Sequence, residues 1–443
     1  MDNQPDDEAA IERSAMRKAA WRILPLLGLG YLMSYIDRVN VSFAATQMNA
    51  DLGFSATVYG FGSGLFFLSY ALFEIPSGMA VIRVGPRRWI ARIMISWGII
   101  AAAMMFVRTP TQFYAMRFLL GIAEAGYFPC ALYCVSHWFP AAYRGRATSA
   151  FYCFGGVSGI VMGLLSGWLL SLDGLGGLRG WQWLFLVEGL PATFVGLIIL
   201  RWLPDAPATA RWLSEAERHW IEKTLAREAE QIGPLSEHAI LDALRNRHVV
   251  HLAIISGLTI GSYMSFQLFL PLLLAAGTGL PITQVGYIVS IAGLVLIVGM
   301  IGSGWHSDRQ GQRFTHLLTG CVLVSLGFLL MALAPSSVVL LLAYFLICIF
   351  WPSVTLSTQL ICTEVVPRRM IGVAAGLVNT FGQLGAFVGP WLMGIGKDAT
   401  GSYFLGQMLL PVGFVFTIAI ALNLRRELRA KARAAAASAH PFG

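Results

Sequence analysis

Charge is what this chain has least of. Only 12% of its 443 residues are Asp, Glu, Lys or Arg, about half the share of an ordinary soluble domain. Two or three soluble domains, which the length would otherwise allow, could not cover their surfaces with so little. Cysteine is also scarce. The six residues (Cys130, Cys134, Cys153, Cys321, Cys348 and Cys362) all lie in or at the ends of apolar segments, so no disulfide framework is implied. Cys130, Cys134 and His137 share a helical face, and small apolar fillers beside a helix-end histidine are a simpler reading than a metal site. Nucleotide loops, metal clusters and catalytic triads are missing, and no cofactor is expected. The net charge of +8 comes without a basic stripe interleaved with aromatics, which argues against nucleic acid. The first twenty residues are acidic and polar, with no small-residue cleavage site, so the first apolar block is expected to be an uncleaved anchor.

What the chain does have is long apolar blocks, with 56% hydrophobic residues and a mean hydropathy of +0.67. A bilayer core about 30 Å thick takes roughly 20 helical residues. Blocks of that size run near 20–45, 56–82, 88–107, 111–137, 146–171 and 181–203, and again near 249–275, 284–306, 314–334, 337–361, 370–395 and 404–424. The expected fold is an all-α polytopic membrane protein with twelve transmembrane helices in two sets of six. A tail at 1–19, bundles at 20–203 and 249–424, a linker at 204–248 and a second tail at 425–443 follow from the same pattern. In the linker, Ser214 and Glu217 have the spacing of a capping box ahead of a polar surface helix.

Basic residues fix the orientation. With both termini and the linker placed in the cytoplasm, all but five of the 31 Lys and Arg fall on that side or in the linker. Arg108, Arg179 and Lys397 fall outside, while Arg38 and Arg117 fall within apolar blocks. An inner-membrane location follows as an expectation.

The halves also repeat. Arg83, Gly85 and Arg87 match Arg309, Gly311 and Arg313 at an offset of 226, and Pro140 matches Pro367 at 227. Matching loops on the same side indicate parallel six-helix repeats, an arrangement that places a transport site at the repeat interface.

The G-x-x-x-D-R-x-G-x-R pattern at 304–313 resembles the loop motif of the major facilitator superfamily. YIDRVN (35–40), FEIPSG (73–78), RFLLGIAEAG (117–126), GWQWLFLVEGLP (180–191), LPDAPATARWLSEAER (203–218) and VNTFGQLGAFVGP (378–390) resemble its anion:cation symporter family, including hydroxyphenylacetate, tartrate and phthalate carriers. The resemblance implies a secondary transporter, not an enzyme, working by alternating access and carrying a small organic anion with protons. A monomer in the lipid bilayer is expected.

Ionisable groups deep in a bilayer are functional candidates because of their cost. Asp37, Arg38, Arg117 and Glu124 are four such groups in one half. Arg117 and Glu124 are seven residues apart and share a face. Asp37 is offset from Arg38 by about 100°, one residue's turn of a helix, and a contact between these neighbours is expected. A structural ion-pair cluster is the competing reading, but four charges exceed what packing needs. Fully ionised, the cluster sums to zero; one added proton leaves +1, which suits a monoanion. Arginine's planar fork grips a carboxylate with two bonds.

The resemblance implies that Arg38 and Arg117 hold the anion and that Asp37 and Glu124 couple protons. It also places Tyr35, Tyr70 and Asn379 near the substrate. Tyr263 and Gln267 share a helical face with Ser256 and extend the set. Glu74 and Glu188 read as acids satisfied by local partners. Asp308, Arg309, Arg313 and Glu364 form an expected charged gate, with Glu364 paired to the arginine loop. Ile82 stands where the second half has Asp308, so the gate is expected to be asymmetric. Proton-driven export of a drug or metabolite is the alternative. Exporters of the superfamily usually carry G-P-x-x-G-G in the fifth span, and this span has glycines but no proline.

Overall fold

The computed structural model describes residues 4–232, 239–310, 312–366 and 370–439. Its helices are α1 (Gln4–Leu52), α2 (Ala56–Val84), α3 (Pro86–Ala103), α4 (Pro110–Glu124), α5 (Tyr127–Trp138), α6 (Ala141–Leu170), α7 (Gly180–Trp202), α8 (Glu215–Ile232), α9 (Ala239–Arg245), α10 (Arg247–Thr278), α11 (Ile282–Gln310), α12 (Arg313–Ala332), α13 (Ser337–Val365), α14 (Ile371–Thr400) and α15 (Phe404–Ala439). Twelve spans among the described residues are long and apolar enough to cross a membrane, six on each side of the linker. Most of the large apolar side chains that remain exposed lie along these spans. Phe194, Val298 and Ile301 are 59%, 68% and 67% exposed, as expected where lipid is the solvent.

The fourth apolar block is where expectation and structure part. A single helix was expected over 111–137; the chain instead breaks between α4 and α5 at Ala125–Gly126. Pro129 explains it, because it has no N–H for the Ala125 carbonyl and its ring crowds that carbonyl. Gly126 then takes a left-handed conformation at φ 90°, which glycine adopts without a steric penalty. A Cβ there would also fall 2.1 Å from Ser77 Oγ. The break leaves Glu124 as the last residue of α4.

The chain forms two compact units. The first comprises Met1–Phe54, Leu65–Pro234 and Pro281–Ser290, and the second Ser55–Gly64, Leu235–Leu280 and Ile291–Gly443. In the first, α1 packs on α6 and α7, and α3 on α4 and α7. In the second, α10 packs on α14, and α12 on α13 and α15. The glycine-rich run in α14 explains the α10–α14 contact. A Cβ on Gly385 would lie 2.0 Å from the Gly257 carbonyl oxygen, and one on Gly389 2.6 Å from that of Gly261. Such close backbone approach is how helices associate in a medium that gives no hydrophobic drive.

The expected capping box is present. Ser214 N–H donates to Glu217 Oε2 at 2.8 Å and Glu217 N–H to Ser214 Oγ at 3.2 Å. Glu217 also accepts from Lys18 Nζ and Ser14 Oγ, each at 2.7 Å, which fixes α8 to α1. Burial raises the Glu217 pKa, but hydrogen bonds from Lys18, the Ser214 backbone and Ser14 outweigh it and hold the carboxyl at about 2. Glu228 of α8 accepts from the Ala141 N–H at 2.7 Å, at the start of α6, and pairs with Arg144 at 3.0 Å. A carboxylate suits the positive end of a helix. These contacts dock the first part of the linker on the first unit.

Candidate functional site

The first unit gathers a buried charged cluster from α1, α2, α3 and α4. Arg38 Nε donates to Glu124 Oε1 at 2.7 Å, and Ser34 Oγ donates to the same oxygen at 2.7 Å. Ser34 and Arg38 are one turn apart on α1, so both reach the end of α4. The Glu124 side chain is fully buried and that of Arg38 is 15% exposed. The Arg38 guanidinium stacks over Tyr70 of α2 at 4.5 Å and lies 5.8 Å from the Phe66 ring. Arg117 is completely buried, with its guanidinium 4.8 Å from that same Phe66 ring. One aromatic ring therefore faces both arginines. Desolvated cation–π contacts of this kind contribute about 2 kcal/mol each, which helps hold two cations away from water.

Asp37 corrects an expectation. Its partners are not Arg38 but the indole N–H of Trp97, from α3, and Asn40 Nδ2 at 3.1 Å. The one-residue offset along α1 turns Asp37 toward α3 while Arg38 faces α2 and α4. Asp37 is 1% exposed, and two neutral donors satisfy it. Ser34, Asn40 and Trp97 were not among the residues picked out from the sequence. A signal existed for Trp97, since a buried indole N–H needs an acceptor. Nothing in the sequence pairs it with Asp37.

An aromatic layer borders the cluster. Tyr31 lies 5.1 Å from Tyr35, 4.4 Å from Phe151, 5.9 Å from Phe128 and 6.0 Å from Tyr152, ring centre to ring centre. Tyr35 is 38% exposed, whereas Tyr70 is buried. Elsewhere in the unit, Glu188 accepts from Ser166 Oγ at 2.7 Å.

In the second unit, Tyr263 of α10 stacks flat on Trp351 of α13 at 3.9 Å and 5°. Gln267 lies one turn further along α10, and Asn379 is on α14; both are half-buried. Of the gate residues, Arg313 Nε meets Glu364 Oε1 at 3.5 Å and Arg313 Nη1 donates to Ser307 Oγ at 2.6 Å. Arg309 instead covers Trp305 at 4.0 Å. The side chain of Asp308 lies outside the described residues.

The profile of the Major Facilitator Superfamily matches residues 27–390. The chain belongs to the Major Facilitator Superfamily. It is 39% identical over 422 residues to a protein of Agrobacterium vitis named "Putative tartrate transporter", covering 93% of this chain and 92% of that one. It is 34% identical over 434 residues to a quinolone resistance transporter of Acinetobacter baumannii, covering 94% and 97%. Among solved structures, a bacterial homologue of the human lysosomal transporter Spinster superposes with a TM-score of 0.79 at 18% identity, covering 92% of this chain and 97% of that one. The xylose transporter XylE from E. coli gives 0.71 at 15%, covering 92% and 98%. These likenesses carry the fold. As a member of the superfamily, the protein is a multi-pass membrane transporter and not an enzyme.

Proposed function

We propose that this transporter imports a small organic anion across the inner membrane, coupled to protons, by alternating access. Both termini and the linker face the cytoplasm, in keeping with the placement of the basic residues. The observation that carries the reading is the Arg38–Glu124 pair beside buried Arg117. Arg38 and Arg117 hold the substrate carboxylate. Protonation of Glu124 releases Arg38 to the incoming anion, and Asp37 provides a second proton site. Tyr35 and Tyr70 border the anion, and Tyr263, Gln267 and Asn379 are further candidate substrate-binding residues. Asp308, Arg309, Arg313 and Glu364 gate the cytoplasmic side. A tartrate-type hydroxy acid is the first substrate to test, supported by the Agrobacterium relative, and an aromatic acid is the second, supported by the ring-rich border.

The Acinetobacter relative favours an alternative, proton-driven export of a drug. Proteoliposomes with an acid exterior separate the two. Import predicts accumulation of labelled tartrate or an aromatic acid that collapses when a protonophore is added. Transport of a quinolone against the proton gradient, with neither acid taken up, would establish the export reading instead.

A further inference from the structure

Away from the charged cluster, the second unit brings together two histidines and a carboxylate that none of the roles above uses. His248 and His251 lie in the first two turns of α10, three residues apart and so on one face. Glu427 comes from α15. The donor atoms of the three residues all lie within 4.8 Å of one another, with His248 buried and the other two half-buried. Glu427 Oε2 is 3.9 Å from His248 Nδ1 and 3.4 Å from Arg247 Nε. The Nδ1 atom of His251 is buried and has no hydrogen-bond partner among the described residues. Asn246 fixes the turn by accepting from the His248 N–H at 3.0 Å.

We propose that His248, His251 and Glu427 form a binding site for a zinc-type divalent cation that ties the start of α10 to the end of α15. Two imidazoles and one carboxylate are a ligand set that suits zinc, with water completing a tetrahedron. Donors held about 2.1 Å from one zinc ion sit about 3.4 Å apart in that geometry. The largest observed separation, within 4.8 Å, has to shrink by up to about 1.4 Å to reach that value. Two features oppose a cation here: the positive end of α10 and Arg247. The Glu427 charge is therefore essential to the site and not an accessory to it. Arg247 is 59% exposed, so it can leave the carboxylate for water when metal arrives. Calcium and magnesium prefer all-oxygen shells and are rejected.

The test uses the full chain in detergent, stripped with a chelator and titrated with zinc chloride alone. One zinc ion should bind per chain and raise the unfolding temperature, and magnesium should do neither. His251→Ala and Glu427→Gln should each weaken binding at least tenfold, while His316→Ala leaves it unchanged. Cobalt should give the visible absorption of a tetrahedral site in the wild type and lose it in His251→Ala. Arg247→Ala removes a competing cation from an exposed position and should tighten zinc binding. That variant keeps the proposal falsifiable where a ligand variant fails to fold. Absence of zinc binding, equal affinity in wild type, His251→Ala and Glu427→Gln, or no tightening in Arg247→Ala would each overturn the site.

Discussion

Replacing Glu124 by Gln separates a coupling residue from a structural one. The amide oxygen of Gln can still accept from Arg38 and Ser34, which both donate to one carboxylate oxygen at 2.7 Å. The shape of the pair survives and the charge does not. If Glu124 carries a proton, Gln imitates its protonated form permanently. Substrate then binds and exchanges without a gradient, and the gradient has nothing to act on. One pH unit is worth about 1.36 kcal/mol per proton, or tenfold accumulation. The wild type in liposomes one unit more acidic outside should approach that tenfold limit for one proton. Glu124→Gln should reach a ratio of one while keeping labelled counterflow within a few-fold of wild type. A purely structural pair predicts otherwise: an arginine left buried without its anion costs about 3–5 kcal/mol, so exchange, accumulation and unfolding temperature fall together. Tenfold accumulation by Glu124→Gln would remove Glu124 from the coupling scheme altogether.

Arg117→Lys keeps the charge but loses the fork, and substrate affinity measured by calorimetry should drop about 10–100-fold, the equivalent of one charge-assisted hydrogen bond of ~1.5–3 kcal/mol; equal affinity would refute the clamp. Gly121→Ala places a Cβ 2.3 Å from the Phe66 carbonyl oxygen and should cost about 1–3 kcal/mol of stability as overpacking. Gly78→Ala enters open space within α2 and should be neutral or gain up to about 1 kcal/mol, so a thermal-unfolding comparison of the two variants checks the α2–α4 packing. The depressed Glu217 carboxyl gives stability that is fully present above the ordinary carboxyl value near 4.5 and is lost as pH falls toward about 2. Because Lys18 is 38% exposed, solvent screening reduces that contribution to about 1–2 kcal/mol. Glu217→Gln should lose this amount at pH 7 and show a flatter acid limb, read from melting curves at pH 7, 4 and 3.

The membrane spans were legible in the sequence because lipid imposes a length and a polarity on each of them. Arg38, Arg117 and Glu124 were legible for the same reason, as charges where charge is costly. Their pairing was less so. Spacing put Glu124 on a face with Arg117, but its ion-pair partner Arg38 comes from another helix, and long-range pairing leaves no periodic trace. Asp37 shows the limit of adjacency: sequence neighbours on a helix diverge, and its indole partner lies 60 residues away. The α4–α5 break was hidden because Gly126 and Pro129 sit inside an unbroken apolar run, and hydropathy does not register a missing N–H. The Ser214–Glu217 box was visible because both partners are local. The links from Glu217 to Lys18 and Ser14 were not.

The Arg38–Glu124 contact has a consequence for affinity. Glu124 is a carboxylate on the same chain, seated against the guanidinium that a carboxylate substrate would occupy. If Arg38 holds the substrate as proposed, Glu124 acts as a built-in competitor at a fixed, high effective concentration. An external acid would then bind by the margin with which it outcompetes this resident group, or once a proton has neutralised it. Ligands resembling a lone carboxylate gain little by the exchange, so discrimination must come from the rest of the molecule: its hydroxyls, its ring or its second acid. If Glu124 has this role, removing its charge while keeping its hydrogen bonds, as Glu124→Gln does, leaves binding and exchange in place but takes away the proton's control over them. On the proposed reading, the resident carboxylate gives up some affinity in return for a release that a proton can control.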